Sequence, residues 1–155
     1  MMNKVIVAID ESEESLFALQ WLLQYYSSIQ SLSIIHVLEP FPLYVLPGVQ
    51  VVFPTTSITL SANRVRRENA QTLLAHAAHM CAGARVQANT SILEGDPKEM
   101  ICEAAEQMNA DLIVVGSRGL GKIMRAFLGS VSDYVVHQAK CPVLIVKPPD
   151  ASRRS

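Results

Sequence analysis

The hydrophobic pattern of the chain changes period again and again. Short, almost continuous apolar runs alternate with stretches where apolar residues recur every three or four positions. KVIVAI (Lys4–Ile9) is the first run, nearly all apolar and β-branched, as a parallel strand buried on both faces requires. DESEES follows, where Ser12 can cap a helix and Glu13 and Glu14 suit its first turn. Leu16, Leu19, Leu23 and Tyr26 then repeat at helical spacing. LSIIHVLE (Leu32–Glu39) reads as a second strand, and a long helix is expected from about Ser61 to Met80 or Cys81, with Val65, Leu73, Ala77 and Met80 inward. A third strand is expected over Arg85–Gly95. A helix opened by Asp96 and Pro97 comes next, burying Met100, Ile101, Ala104, Ala105 and Met108. Asp111–Gly116 is a fourth strand, GSVSDYVVHQA a last helix, and Pro142–Lys147 a fifth strand.

This alternation predicts an α/β fold, a single domain over 1–149 with a parallel sheet covered on both faces, and a frayed tail over 150–155. One segment breaks the rhythm. Pro40–Pro54 holds four prolines and Gly48, which argue against regular structure, yet it is rich in Phe41, Tyr44, Leu46, Val49 and Phe53. Such a loop is expected to pack near the mouth of a site or on a partner.

Ligands of open parallel sheets bind beyond the C-terminal strand ends, where the strand order reverses. Asp10 lies just after the first strand and could accept hydrogen bonds from a ribose; the competing reading is a helix cap. Gly116 ends the fourth strand and opens GSRGLGKI. That stretch comes near a P-loop, but Ile123 stands where the magnesium-binding Ser or Thr belongs, and it follows the fourth strand instead of the first. A longer pattern fits better: Gly116, two residues, Gly119, nine residues, Gly129, Ser130. Ser130 is expected to cap the last helix, with Asp133 in a capping-box relation, and a helix start of this kind attracts anions. Lys122, Arg125 and Arg118 could neutralise phosphate.

That pattern, with VIVAIDES at the start and LGSVSDYVVHQAKCPVLIVK at the end, resembles the nucleotide-binding signature of the universal stress protein family over Lys4–Lys147, with its closing block most like plant members. The resemblance implies a Rossmann-like open sheet of five parallel strands in the order 3-2-1-4-5. It implies that Ala8, Ile9 and Asp10 line the adenosine side, that Val37 offers backbone contacts to adenine, and that Gly116, Arg118, Gly119, Gly129, Ser130, Val131 and Ser132 surround the phosphates. The implied ligand is ATP or AMP, with or without Mg. The implied assembly is a homodimer through the edge strand Val143–Val146, an apolar edge that would invite pairing on its own account.

Composition narrows the partners. Net charge is −1, which gives no support to broad binding of nucleic acid or of an anionic membrane. No apolar run is long enough to span a bilayer, and acidic residues interrupt the start where a signal peptide would stay apolar. Three scattered cysteines without a CxxC fit free thiols in a reducing compartment. A cytoplasmic location is expected, with a nuclear one left open. Cys81 and Cys102 read as packing residues, Cys141 as a buried or strand-edge thiol, and His36 as a packed strand residue. His76 and His79 read as surface residues, because no further metal ligands accompany them. Arg64, Arg66 and Arg67 read as a solvated helix face. No Ser-His-Asp order or catalytic carboxylate pair emerges. Three functions stay open: a nucleotide-binding regulator with an unidentified protein partner, a slow ATPase using the same pocket, and a dimeric chaperone-like module. The absence of a positioned general base favours the first over the second.

Overall fold

The computed structural model describes residues 2–26, 28–40, 56–117 and 128–149. The elements run β1 (Met2–Ala8), α1 (Glu13–Tyr25), β2 (Ile29–Leu38), α2 (Thr56–Gly83), β3 (Ala88–Glu94), α3 (Pro97–Gln107), β4 (Leu112–Gly116), α4 (Ser130–Gln138) and β5 (Val143–Val146). All strand pairs are parallel, and the sheet order is β3-β2-β1-β4-β5. This is the expected fold, with every expected strand and helix present. Of the Pro40–Pro54 segment only Pro40 falls within the described residues.

The continuous apolar runs have a simple cause. Successive strand residues point to opposite faces, and helices cover both. Val5 and Val7 of β1, Leu112 and Val114 of β4 and Leu32 and Ile34 of β2 pack with Ala18, Leu19 and Leu22 of α1 and Leu74, Ala77 and Cys81 of α2. Their neighbours Ile6, Ile113, Val115 and Ile35 face the other way, onto Ile101, Ala104 and Ala105 of α3 and Val135 of α4. A strand with one solvated face would have alternated in polarity.

The helices bury faces that differ in part from those expected. In α1 the buried set is Glu14, Ser15, Ala18, Leu19 and Leu22, while Leu16 and Leu23 are only half-buried. In α2 the inward stripe is Ala70, Leu74, Ala77 and Cys81. Val65, expected inward, is 50% exposed. The helix also starts at Thr56, ahead of the expected Ser61, so its first turns carry β-branched residues that propensity alone disfavours. Met108, at the C-terminal edge of α3, is 39% exposed instead of buried. β3 begins later than expected because Arg85 adopts φ 61° in the turn closing α2, where the Val86 N–H donates to the Cys81 carbonyl.

The arginines of α2 do more than face solvent. Arg66 donates to the Glu39 carbonyl at 2.6 Å, and Arg67 pairs with Glu94 at 2.7 Å. Together they tie α2 to the ends of β2 and β3. Among the described residues no helix is long and apolar enough to cross a membrane.

Leu22→Ala, at a fully buried position under the sheet, is expected to lower unfolding free energy by about 2–5 kcal/mol. Val65→Ala is expected to change it by no more than about 0.5 kcal/mol. Urea denaturation of the two variants checks the inward face of α1 at Leu22 and the outward position of Val65 on α2.

Candidate functional site

The strand order places β1 between β2 and β4. The chain winds outward from β1 through β2 to β3, then returns to the other side of β1. The crevice left by that reversal lies beyond the C-terminal ends of β1 and β4. The pair Val7 and Val114 is in register, so Ile9 and Gly116 stand opposite each other two residues further on.

On the β1 side, the Ile9 N–H donates to the Ile35 carbonyl at 2.9 Å. The Ile9 carbonyl lies 2.7 Å from His36 Nδ1. A carbonyl only accepts, so that ring nitrogen carries a proton and His36 braces the turn. Asp10 serves the cap of α1 in the same way. Its Oδ1 accepts from the Ser12 N–H at 2.8 Å and from the Ser12 hydroxyl, and Ser12 Oγ accepts from the Ser15 N–H. Ser12 is thus the N-cap, and the half-buried Asp10 orients it.

On the β4 side, Gly116 has a structural duty of its own. A Cβ there would come within 2.9 Å of the Glu14 carbonyl carbon, 3.0 Å of its oxygen and 3.1 Å of the Ser15 nitrogen. The strand end fits against the first turn of α1 only without a side chain. Ser117, which follows, is 3% exposed, and its hydroxyl is buried without a hydrogen-bond partner among the described residues.

α4 starts beside these two residues. Its N-cap is Gly129, not Ser130, and no side chain caps it. The Gly129 N–H donates to the Ser117 carbonyl at 2.8 Å, and the first helical bond runs from Asp133 N–H to Gly129 O. Ser130 therefore occupies the first helical position, with its side chain exposed. The helix leaves the N–H groups of Ser130, Val131 and Ser132 without intrahelical acceptors. Ser132 is buried, and its hydroxyl donates to the Gly116 carbonyl at 2.6 Å, so it ties α4 to β4. Gly129 has φ −63° and ψ 159°, which any residue can adopt.

A family model for the universal stress proteins matches residues 1–147. The chain belongs to the universal stress protein family. It is 36% identical over 149 residues to Universal stress protein YxiE of Bacillus subtilis, spanning 95% of this chain and all of that protein (100%). Among solved structures, UspA of Lactobacillus plantarum is similar with a TM-score of 0.70 and 26% identity, over 94% of this chain and 97% of that one. A family protein of Arabidopsis thaliana, solved with AMP bound, has a TM-score of 0.70 and 24% identity, over 100% of this chain and 97% of that one. At that identity the likeness concerns the fold.

In this universal stress protein the crevice brings Ile9, Asp10, Gly116, Gly129, Ser130 and Ser132 to one strand edge. Ala8, Val37 and Val131 meet in the apolar cluster under α3 and α4. Arg118 and Gly119, with Lys122, Ile123 and Arg125, lie outside the described residues.

A cavity of about 550 Å³ opens from the same helix end, lined by Glu39, Pro40, Gly95, Asp96, Pro97, Lys98, Ser130 and Val131. Most of these residues were missed in the sequence. GDPKE reads as a helix start and nothing more, and Ser117 is hidden among the glycines around it. Asp96 does sit at the N-cap of α3, but its side chain makes no cap bond. Its carboxylate instead lies 2.6 Å from Lys98 Nζ and holds that ammonium above its ordinary pKa. Gly95, at φ 145°, turns the chain from β3 into the cavity wall, and a Cβ there would meet Met100 Cγ at 2.8 Å.

The thiols offer no nucleophile. Burial pushes Cys81, Cys102 and Cys141 above the ordinary thiol value, so they stay protonated near neutrality. Among the described residues no cluster of three His, Cys, Asp or Glu could hold a metal ion.

Gly116→Ala is expected to cost about 1–3 kcal/mol of stability, since the added methyl meets backbone that cannot step aside. Ser117→Ala removes a buried unpaired hydroxyl and is expected to leave stability unchanged or raise it by about 1 kcal/mol. Thermal melts of the ligand-free variants distinguish these opposite signs.

Proposed function

We propose that this universal stress protein binds an adenine nucleotide, ATP or AMP, in the crevice between β1 and β4, and acts as a nucleotide-dependent regulator. One observation carries the reading. The amino end of α4, which no side chain caps, and the buried hydroxyl of Ser117, unpaired among the described residues, meet at the strand reversal. Free N–H groups at a helix start are a ready anion site, and a buried hydroxyl without a partner is stabilised by a ligand that supplies one. Gly129, with dihedrals open to any residue, leaves the approach to these N–H groups clear of a Cβ. The phosphates rest on the N–H groups of Ser130, Val131 and Ser132 and on the Ser130 hydroxyl, since the Gly129 N–H is engaged with the Ser117 carbonyl. Ser132 contributes its backbone alone, since its hydroxyl is engaged with Gly116. Ala8, Ile9, Asp10 and Val37 flank the sugar and base, and Arg118 and Gly119 complete the phosphate side. The Arabidopsis relative binds AMP, and another universal stress protein of this fold was solved with cAMP, at 24% identity and a TM-score of 0.68. A Mg ion would accompany ATP through its phosphates.

Ser130→Ala removes one hydrogen bond to a charged group, about 1.5–3 kcal/mol, or roughly ten- to a hundredfold in affinity. Because Ser130 does not cap α4, folding stability is expected to stay within about 0.5 kcal/mol. Gly129→Val keeps allowed dihedrals yet sets a branched side chain in the path of phosphate, and should weaken binding further. Calorimetric titration with ATP and AMP decides the matter. No binding by the wild-type chain, or equal affinities in all three proteins, would sink the reading.

The regulator is proposed to be a cytoplasmic homodimer joined through β5. That strand is four residues long at the sheet edge, and Val143, Leu144 and Ile145 are only half-buried. Ile145→Asp is expected to give monomers by light scattering; an unchanged dimer would reject this edge.

A further inference from the structure

Two of the three cysteines meet at a joint that the nucleotide reading does not use. Cys102 lies on α3 one turn before Glu106, and residues four apart share a helix face. Glu106 is salt-bridged at 2.7 Å to Lys140, the residue next to Cys141. The bridge draws the connection between α4 and β5 onto the Cys102 face of α3. Both thiols also pack against the same apolar cluster, around Ile101, Ala104, Ala105 and Val135. Cys102 senses its neighbour electrostatically: burial raises its thiol first, and Cys141 raises it further. Cys81 is fully buried on the opposite face of the sheet, under α2, and takes no part in this joint.

The pair is reduced and within reach of small molecules, since all three cysteines are free and both of these are half-buried. Burial raises Cys141 as well, and the Asp111 carboxylate adds to it. At neutrality both are therefore poor nucleophiles, and only a small ionised fraction reacts. Slow attack leaves the equilibrium untouched. Two thiols held at one joint have a high effective concentration for each other, which favours a bond between them once the surrounding thiol pool is oxidised.

We infer that Cys102 and Cys141 form a dithiol site for disulfide oxidants of the glutathione class, and that it responds by forming an internal disulfide between α3 and the entry to β5. The Cys141 thiolate attacks one sulfur of glutathione disulfide. A bond forms between Cys141 Sγ and that sulfur, the oxidant's own S–S bond breaks, and one glutathione leaves with the proton that Cys141 released. The Cys102 thiolate then attacks Cys141 Sγ, and the second glutathione leaves with the Cys102 proton. Two protein thiols lose two electrons, and one glutathione disulfide becomes two thiols. The new bond closes a loop of about 40 residues that contains β4 and α4, and such a loop stabilises mainly by restricting the unfolded chain. This inference is independent of nucleotide binding.

The test is incubation of the full ligand-free chain with glutathione disulfide, followed by intact-mass measurement, peptide mapping and a thermal melt. The wild-type chain is expected to lose two hydrogens, to yield a peptide linked through Cys102 and Cys141, and to melt roughly 5–15 °C higher, reversibly on adding dithiothreitol. Cys81→Ser should behave in the same way. Cys102→Ser and Cys141→Ser should each give no internal link and no rise in melting temperature. A wild-type chain that stays unmodified, that gains glutathione without losing two hydrogens, or whose linked peptide contains Cys81 would reject the pair. So would a correct link that lowers the melting temperature, because the joint would then have to distort to close. The wild-type mapping decides alone should a serine variant fail to fold.

Discussion

The arrangement depends on one close contact. The end of β4 lies so near the first turn of α1 that a methyl group at Gly116 would press on the backbone of Glu14 and Ser15. Because nothing intervenes, the capped start of α1 and the open start of α4 stand on either side of one strand end. Ser132 fixes the second of these by donating to the Gly116 carbonyl. Packing this dense allows few alternatives. Among the described residues the crevice is formed by the ends of β1 and β4 and the starts of α1 and α4.

The serines around this contact divide by what their hydroxyls already do. Ser12 caps α1, Ser15 bonds the Asp10 backbone, and Ser132 bridges α4 to β4. These three are spent on the fold. Ser130 is exposed and Ser117 is buried without a partner. Among the described serines of this contact those two hydroxyls have hydrogen bonds left to give, and both adjoin the amino end of α4. Asp10 shows the same economy. The cap and ligand readings of that residue are compatible, because one carboxylate oxygen orients Ser12 while the carboxylate as a whole keeps further lone pairs.

The long helix α2 works at a distance from the crevice. Arg66 and Arg67 reach the ends of β2 and β3 from a helix whose own first turns lie beyond the buried stripe. Exposed ion pairs such as Arg67 with Glu94 contribute little stability, up to about 1 kcal/mol. Their effect is positional. They hold Glu39 and Glu94 where the chain turns toward the cavity, one strand end apart.

The sequence by itself determined the order and type of every element, the parallel sheet and the strand edge at which to look. Burial on both faces writes itself as unbroken apolar runs, and glycine spacing marks where backbone comes close to something. It also determined Ser12 as a cap, because cap chemistry is local. Tertiary structure alone decided which face of each helix turned inward. Val65 and Met108 fit a helical period but lie past the sheet they were expected to cover, and length of overlap is not a local property. It likewise moved the cap of α4 from Ser130 to Gly129 and gave Gly116 a packing reason that its neighbours in sequence do not reveal. The cavity beside Asp96 and Lys98 was illegible for the same cause. Glu39, Ser130 and Val131 are distant from them along the chain and line the same cavity only when the sheet brings strand and helix ends together.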